Sequence, residues 1–504
     1  MTSRVCSIGL NGMEGYLVQV EIHVSEATET MVIVGLPDAS VKEAKERVLS
    51  ALHTLECDVT DQKIVVNLSP AEHKKIGPLF DLAMVIGVLK ERGYILVDIP
   101  QDTAFIGAIS LDGKINTIDG ILPALIAAKK LPINKLILPY DERIPYDLFE
   151  DKIECIIVDN AHEVISYLEG QQTFSQFTQT PLTRKKQISK NDSINFSKDF
   201  QSIIGHKQAK RALEIAAAGE HHILMTGPPG CGKSLLSETF PSILPDLSRE
   251  KALEVMALYQ LAKESNAFTT QPPYRNPHHS ASAISIIGGG SNPKPGEISL
   301  AHQGVLFLDE MSEFTKKTLD MLRQPLESGK VTISRVQSTV TYMSKFILIG
   351  AMNPCPCGYD GSSTKMCTCT PKQLTQYKNR VSGPIYDRMD ILLRLNPVNM
   401  NQNFSENESS QMIKNRVIAA RKQQAARYSG DYTNSNIPLE HLLQTSPLTS
   451  DQLNFLQKKS IEQHWCNRIQ TKIIRLARTI SDLADSSNFT DESLIEAVKL
   501  RQVL

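Results

Sequence analysis

Residues 227–234 read Gly-Pro-Pro-Gly-Cys-Gly-Lys-Ser, the spacing G-x-x-x-x-G-K-[ST]. These residue types suit the binding of a triphosphate. Glycines let backbone N–H groups close around phosphate oxygens, and a helix opening at Gly232 would add the positive end of its dipole. Lys233 has the reach for β- and γ-phosphates, and the Ser234 hydroxyl can ligate Mg²⁺. Gly227, Pro228, Pro229, Gly230, Cys231, Gly232, Lys233, Ser234 and Leu235 are therefore the expected contacts of ATP.

A second set of polar residues follows two apolar runs. Val305-Leu306-Phe307-Leu308 leads into Asp309-Glu310. Two carboxylates at the end of a buried strand stand on the ligand side of an open α/β sheet. Asp309 is expected to hold Mg²⁺ and Glu310 to polarise an attacking water. Phe346 to Met352 is a further apolar strand, and Asn353 at its end would position that water or touch the γ-phosphate. The third set is Cys355, Cys357, Cys367 and Cys369, spaced C-x-C-x₉-C-x-C around a Gly/Ser/Asp loop. Four thiols so close suit a tetrahedral structural Zn²⁺ site; two disulfides or free thiols are the alternatives.

Elements must position these groups. Ile223 to Met225 predicts a buried strand feeding the glycine loop, and Ala209 to Ala218 an alanine-rich helix before it. Upstream, residues 1–170 alternate strand and helix patterns: strands over Tyr16 to Val24 and Met31 to Val34, a helix capped by Asp38 or Ser40 and running to Leu55, and a helix over Asp81 to Arg92. Residues 171–198 are rich in Gln, Thr, Ser and Lys and read as an exposed linker; its Arg184-Lys185-Lys186 run reads as a solvated charge cluster. Residues 199–398 hold the strands that carry the chemistry, and 399–504 show only helical patterns.

Composition sets outer bounds. The chain has 504 residues, 41% hydrophobic content, 22% charged content and a net charge of −1. That describes an ordinary globular protein, without the bulk positive charge of a general nucleic-acid coat. No apolar run of about 18 residues or more suggests a membrane span. Nine cysteines without an export signal predict a reduced, cytoplasmic setting.

Longer motifs carry a family resemblance. Pro277-His278-His279-Ser280, Ile287-Gly288-Gly289-Gly290, Pro295 to His302, the Asp309-Glu310 strand and Ala351 to Gly358 together resemble the magnesium-chelatase-like AAA+ ATPases of the ComM (YifB) type. The resemblance implies an α/β multidomain protein: a Lon-protease-like, ribosomal-S5-like N-terminal domain, an AAA+ core and an all-α lid. In the Lon-like region, Lys75 to Phe80 resembles the segment bearing a nucleophilic serine. Leu79 stands at that position, and the turn at Asp119-Gly120-Ile121-Leu122 lacks the activating lysine. Acyl transfer then has no mechanism, so a non-proteolytic domain is implied.

By the same resemblance, Ile204 and His206 lie near an adenine, Arg388 is an arginine finger acting on a neighbouring subunit, and Arg468 is a sensor arginine reaching the γ-phosphate. Residues 284–299 and the hairpin pattern 329–345 would face a ring channel, where Lys294, Lys330 and Arg335 grip DNA phosphates. Taken singly, each of these three side chains fits a solvated surface charge better; only the resemblance favours the set. The family implies a homo-hexamer that translocates on single-stranded or branched DNA. It would promote branch migration in homologous recombination during natural transformation, beside a recombinase partner. The alternative is an AAA+ motor that remodels a protein partner, as a magnesium-chelatase subunit does.

Overall fold

Alternation decides the N-terminal sheet. In the strand Glu14–Glu26, Val18, Val20 and Ile22 share a buried face. The computed structural model describes residues 3–149, 151–171, 198–264, 268–290, 293–335, 338–361, 365–397 and 407–501. Apart from its end residues, the 171–198 linker, with Arg184-Lys185-Lys186, lies outside the described residues. Seven strands form the N-terminal sheet, in the order Thr30–Val34, Gln62–Ser69, Glu14–Glu26, Ser3–Asn11, Thr103–Phe105, Lys135–Leu138, Glu154–Ile157. Its first half is mainly antiparallel and its second half parallel. The helix Ala39–Thr54 starts where Asp38 accepts a hydrogen bond from Val41 N at 2.8 Å, which satisfies one of the helix's free N–H groups.

The N-terminal core is completed from elsewhere in the chain. Leu253, Met256 and Ala257, on the helix Arg249–Ala262, pack into it. Gln260 Oε1 on the same helix accepts from Leu122 N at 3.3 Å. The apolar residues of this helix run around it rather than along one stripe, so its sequence carries no amphipathic period to read.

The second sheet has five parallel strands in the order Tyr274–Arg275, Val305–Leu308, Ile347–Met352, Ile223–Thr226, Ile391–Arg394. Its three inner strands are buried residue by residue. Parallel strands covered on both faces read as unbroken apolar runs, which is why these were visible in the sequence. An antiparallel hairpin, Lys330–Arg335 with Ser338–Met343, projects from this region. Residues 407–501 form the helices Ser410–Arg427, Leu439–Thr445, Ser450–Glu462, Asn467–Leu483 and Asp491–Arg501, with no strand among the described residues there. Ile473, Leu476 and Ala477 join one core with Ala212 and Leu213 of the helix Lys207–Gly219. No helix among the described residues is long and apolar enough to cross a membrane.

A polar cluster ties the helices to the sheet's base. Asp390 Oδ2 accepts from His222 N at 2.8 Å, and Lys472 is bonded to Asp390 Oδ1 and, at 2.8 Å, to Arg388 O. Burial works to raise the Asp390 pKa, but Lys472 and the neighbouring histidines hold it well below the usual range. His222 Nδ1 accepts from Leu348 N at 3.1 Å. Burial brings the His222 pKa down from 6.5 to about 4, against the pull of Asp390. The folded chain therefore binds fewer protons here than the unfolded chain between those values, so stability is lost as pH falls through that window. Urea midpoints measured across it should decline towards acid, and His222→Gln should flatten the decline; an unchanged slope in the variant would remove His222 as its source.

Candidate functional site

The strand Ile223–Thr226 ends in a loop that needs left-handed backbone at Gly230 (φ +75°) and Gly232 (φ +85°). Gly227 N donates to Met352 O at 3.2 Å, which ties the loop to the neighbouring strand. The helix Lys233–Thr239 comes next. The buried Lys233 ammonium donates to Gly227 O (2.7 Å), Pro228 O (3.0 Å) and Asn353 Oδ1 (3.2 Å). These oxygens stand in for the phosphate oxygens the loop would hold. Burial lowers the Lys233 pKa, partly offset by Cys231 and Asp309, so an anion in the loop would be matched to an underscreened cation. Cys231 is itself buried, its Sγ 3.9 Å from Lys233 Nζ, and burial raises its pKa.

Ser234 Oγ donates to Asp309 Oδ2 at 2.9 Å. One hydroxyl and one carboxylate meeting beside the loop form a hard-oxygen donor set that fits Mg²⁺. Asp309 Oδ1 accepts from Glu310 N at 2.8 Å. Glu310 adopts φ 46°, ψ 46°, a left-handed conformation that a non-glycine residue holds only under constraint. This turn presents the Glu310 carboxylate to solvent, 56% exposed. Ser312, next along, donates to Tyr377 Oη at 2.6 Å.

His279 is the residue that sequence reasoning left without a role. It follows the edge strand Tyr274–Arg275, and its Nδ1 lies 3.4 Å from Glu310 Oε2. Its ring lies 4.1 Å from that of His278 and meets Phe314 edge-on at 6.5 Å. The adjacent His278-His279 pair was the available signal; the strand order that brings it to Glu310 was not. His206 is left-handed at φ +54°, with its ring against Gly232, where a Cβ would lie 3.5 Å from Nε2. Burial lowers the His206 pKa, which favours a neutral ring.

The four cysteines converge. Their Sγ atoms all lie within 4.8 Å of one another, with Cys355–Cys357 at 3.3 Å, Cys355–Cys367 at 3.7 Å and Cys357–Cys367 at 3.6 Å. A tetrahedron of thiolates around Zn²⁺ has edges of about 3.8 Å, close to these separations and far from a bonded S–S length of about 2.05 Å. Asp360 N also donates to Cys355 Sγ at 3.3 Å. The donor set fits a closed structural site. The loop lies on the phosphate-binding loop: at Gly358 (φ +85°) a Cβ would come within 2.7 Å of Pro229 Cδ.

Arg388 and Arg468 do not join Lys233. Arg388 Nη2 lies 2.9 Å and Arg468 Nη2 3.1 Å from the same oxygen, Glu327 Oε1. They line one cleft of about 440 Å³ with Lys472 and Arg475. Arg388 also donates to Arg323 O and Pro384 O. Lys294, Lys330 and Arg335 are exposed on the 294–295 strand and on the hairpin. Tyr342 Oη donates to Pro293 O at 2.6 Å, which joins the two elements.

Comparison with known proteins matches three stretches to models described as magnesium chelatase: "subunit ChlI" over residues 199–403, "Subunit ChlI of Mg-chelatase" over 20–142 and "subunit ChlI C-terminal" over 407–501. The chain is 36% identical over 498 residues to YifB of Escherichia coli K12, covering 98% of this chain and 95% of that protein. It is 35% identical over 503 residues to the competence protein ComM of Haemophilus influenzae, covering 98% and 96%. A magnesium-chelatase subunit ChlI homolog of Methanocaldococcus jannaschii is 22% identical over 334 residues, 60% of this chain and 83% of that one.

His279 stands against the Glu310 carboxylate, and among the described residues its imidazole is the one side chain paired with it. His279→Ala should lower kcat for ATP by roughly tenfold, through poorer positioning, with KM nearly unchanged. Steady-state kinetics check this; a rise in KM at constant kcat would assign His279 to nucleotide binding instead.

Proposed function

The chain belongs to the magnesium-chelatase-like ComM/YifB family, and from that premise we propose that it is an ATP-hydrolysing motor that works on DNA as a ring, a homo-hexamer. The observation that carries the reading is the division of the site. Lys233, Ser234, Asp309 and Asn353 converge within one chain, whereas Arg388 and Arg468 share Glu327 in a different cleft. Two arginines held outside a chain's own phosphate loop suit a site completed by a neighbour. In that arrangement both reach the adjacent subunit's γ-phosphate and offset the charge that builds during phosphoryl transfer.

Within the site, Lys233 binds the β- and γ-phosphates, and Asn353 orients the attacking water. Glu310 takes the proton from that water. Ser234 and Asp309 would hold Mg²⁺, which when bound would offset charge on the phosphate oxygens. Lys294, Lys330 and Arg335 contact the DNA backbone without reading sequence. Translocation of this kind drives branch migration in the recombination that integrates DNA during natural transformation, a cytoplasmic process in which a recombinase is the natural partner. The likeness to ComM supports that assignment.

We read the N-terminal region as the Lon-like, non-proteolytic domain and the C-terminal helices as the lid. In support, Leu79 Cδ1 lies 3.9 Å from where a Gly120 Cβ would stand. The two segments that would form a protease site adjoin, and at the positions of the expected serine and lysine they bring together a leucine and the Gly120 turn. The four cysteines would hold a structural Zn²⁺, which would stiffen the loop resting on Pro229.

The motor reading predicts that single-stranded or branched DNA stimulates ATP hydrolysis severalfold, and that Glu310→Gln abolishes turnover while nucleotide still binds. ATPase and branch-migration assays on wild type and variant check this; DNA-indifferent hydrolysis without strand exchange would favour a motor acting on a protein. For the metal, purified wild type should carry one zinc per chain by elemental analysis and Cys367→Ser much less, and equal content in both would rule out Cys367 as a ligand.

A further inference from the structure

A cleft of about 1060 Å³ opens between the N-terminal sheet and the hairpin Lys330–Arg335/Ser338–Met343. Tyr16, His73 and Lys74 line its N-terminal wall, and Lys263, Lys294 and Tyr342 the opposite one. The walls meet where Asn11 Nδ2 donates to Thr339 O at 3.0 Å and Gly12 lies against Val340. The cleft is therefore continuous with the hairpin assigned above to DNA.

Its charges are unevenly committed. Among the described residues, Lys74, Lys263 and Lys294 have no hydrogen-bonded or ion-paired acid. Of the acids in the cleft, Asp38 accepts from the backbone N–H groups of Val41 and Gly77, and Asp119 faces Arg143 at 3.9 Å. Glu72 alone stands against three free ammonium groups. The cleft also offers a ring platform. The Tyr16 and His73 rings lie 4.4 Å apart between centroids, tilted 30° to each other. The Tyr16 hydroxyl donates to Lys74 O at 3.3 Å, which fixes the phenol beneath an exposed imidazole.

We propose that this cleft binds single-stranded nucleic acid, with Lys74, Lys263 and Lys294 on phosphates and the open face of His73 under a base. The inference rests on the DNA-motor reading and extends the binding surface from the hairpin onto the N-terminal domain. Free cations beside a sequence-tolerant ring face are what single-strand binding uses. The volume, about 1060 Å³, is at the upper end of small-ligand sites, about 300–1,000 Å³, and leaves room for an unpaired base.

The test is fluorescence anisotropy of the full-length protein with a labelled oligothymidine over a range of salt, in the presence of a non-hydrolysable ATP analogue. Lys74→Glu/Lys263→Glu should raise Kd at least tenfold and reduce the salt slope by about 0.7 for each phosphate no longer neutralised. His73→Ala, at an exposed side chain, should weaken binding roughly fivefold or more without changing the salt slope. Lys152→Glu, exposed and outside the cleft, controls for net charge and should leave Kd unaltered. If wild type binds the oligonucleotide and all these variants bind it equally, the cleft proposal fails and the motor reading stands. If wild type binds no nucleic acid, the motor reading fails. If the cleft variants instead lose affinity only for a labelled unfolded peptide, the cleft is a protein site and the proposal is overturned.

Discussion

The nucleotide edge depends on one constraint, the parallel register of three buried strands. Ile223 pairs with Ile349 and Val305 with Ile347, so Gly227, Asp309 and Asn353 leave the sheet at the same edge. Backbone hydrogen bonds in a fully covered sheet have no water to exchange with, so the register is firmly held. A slip of one residue would turn every side chain on a strand to the opposite face and separate Lys233 from Asn353. The short distances at the site come from this alignment and need no special chemistry of their own.

A second anchor lies at the other end of the same sheet. The Asp390–Lys472–His222 cluster joins the start of the Ile391–Arg394 strand to the helix that carries Arg468. Lys472 also bonds the carbonyl of Arg388. The two arginines are thus mounted on one platform, although 80 residues separate them in the chain. Buried ionic clusters of this kind add little net stability against apolar packing, but breaking one partner leaves a charge without compensation. Their value here lies in fixing where the arginines stand.

Much of the site was legible in the sequence because each part is local. The glycine loop, the apolar runs ending in Asp309-Glu310 and Asn353, and the four closely spaced thiols each declare themselves within fifteen residues or so. The fold was legible where burial imposes a pattern, as in Glu14–Glu26, and where a cap announces a helix, as at Asp38. The remaining features depend on distance in the chain. His279 reaches Glu310 only because the short edge strand Tyr274–Arg275 pairs with Val305–Leu308. Gly358 lies over Pro229, and Leu253 and Met256 enter the N-terminal core, through tertiary packing that leaves no periodicity to read. Arg468 could be picked out by its motif, but the carboxylate it shares with Arg388 could not.

That shared carboxylate bears on how subunits hold together. Glu327 serves both guanidinium groups as a counter-ion within a single chain. If a neighbouring subunit's γ-phosphate is their working partner, joining the ring is an exchange of anions. The arginines trade a carboxylate carried by their own chain for a phosphate carried by another. A lone chain then keeps its arginines quenched, and loss of the phosphate on hydrolysis returns them to Glu327. Cohesion between subunits would rise and fall with each turnover, with Glu327 setting the resting level against which the nucleotide competes.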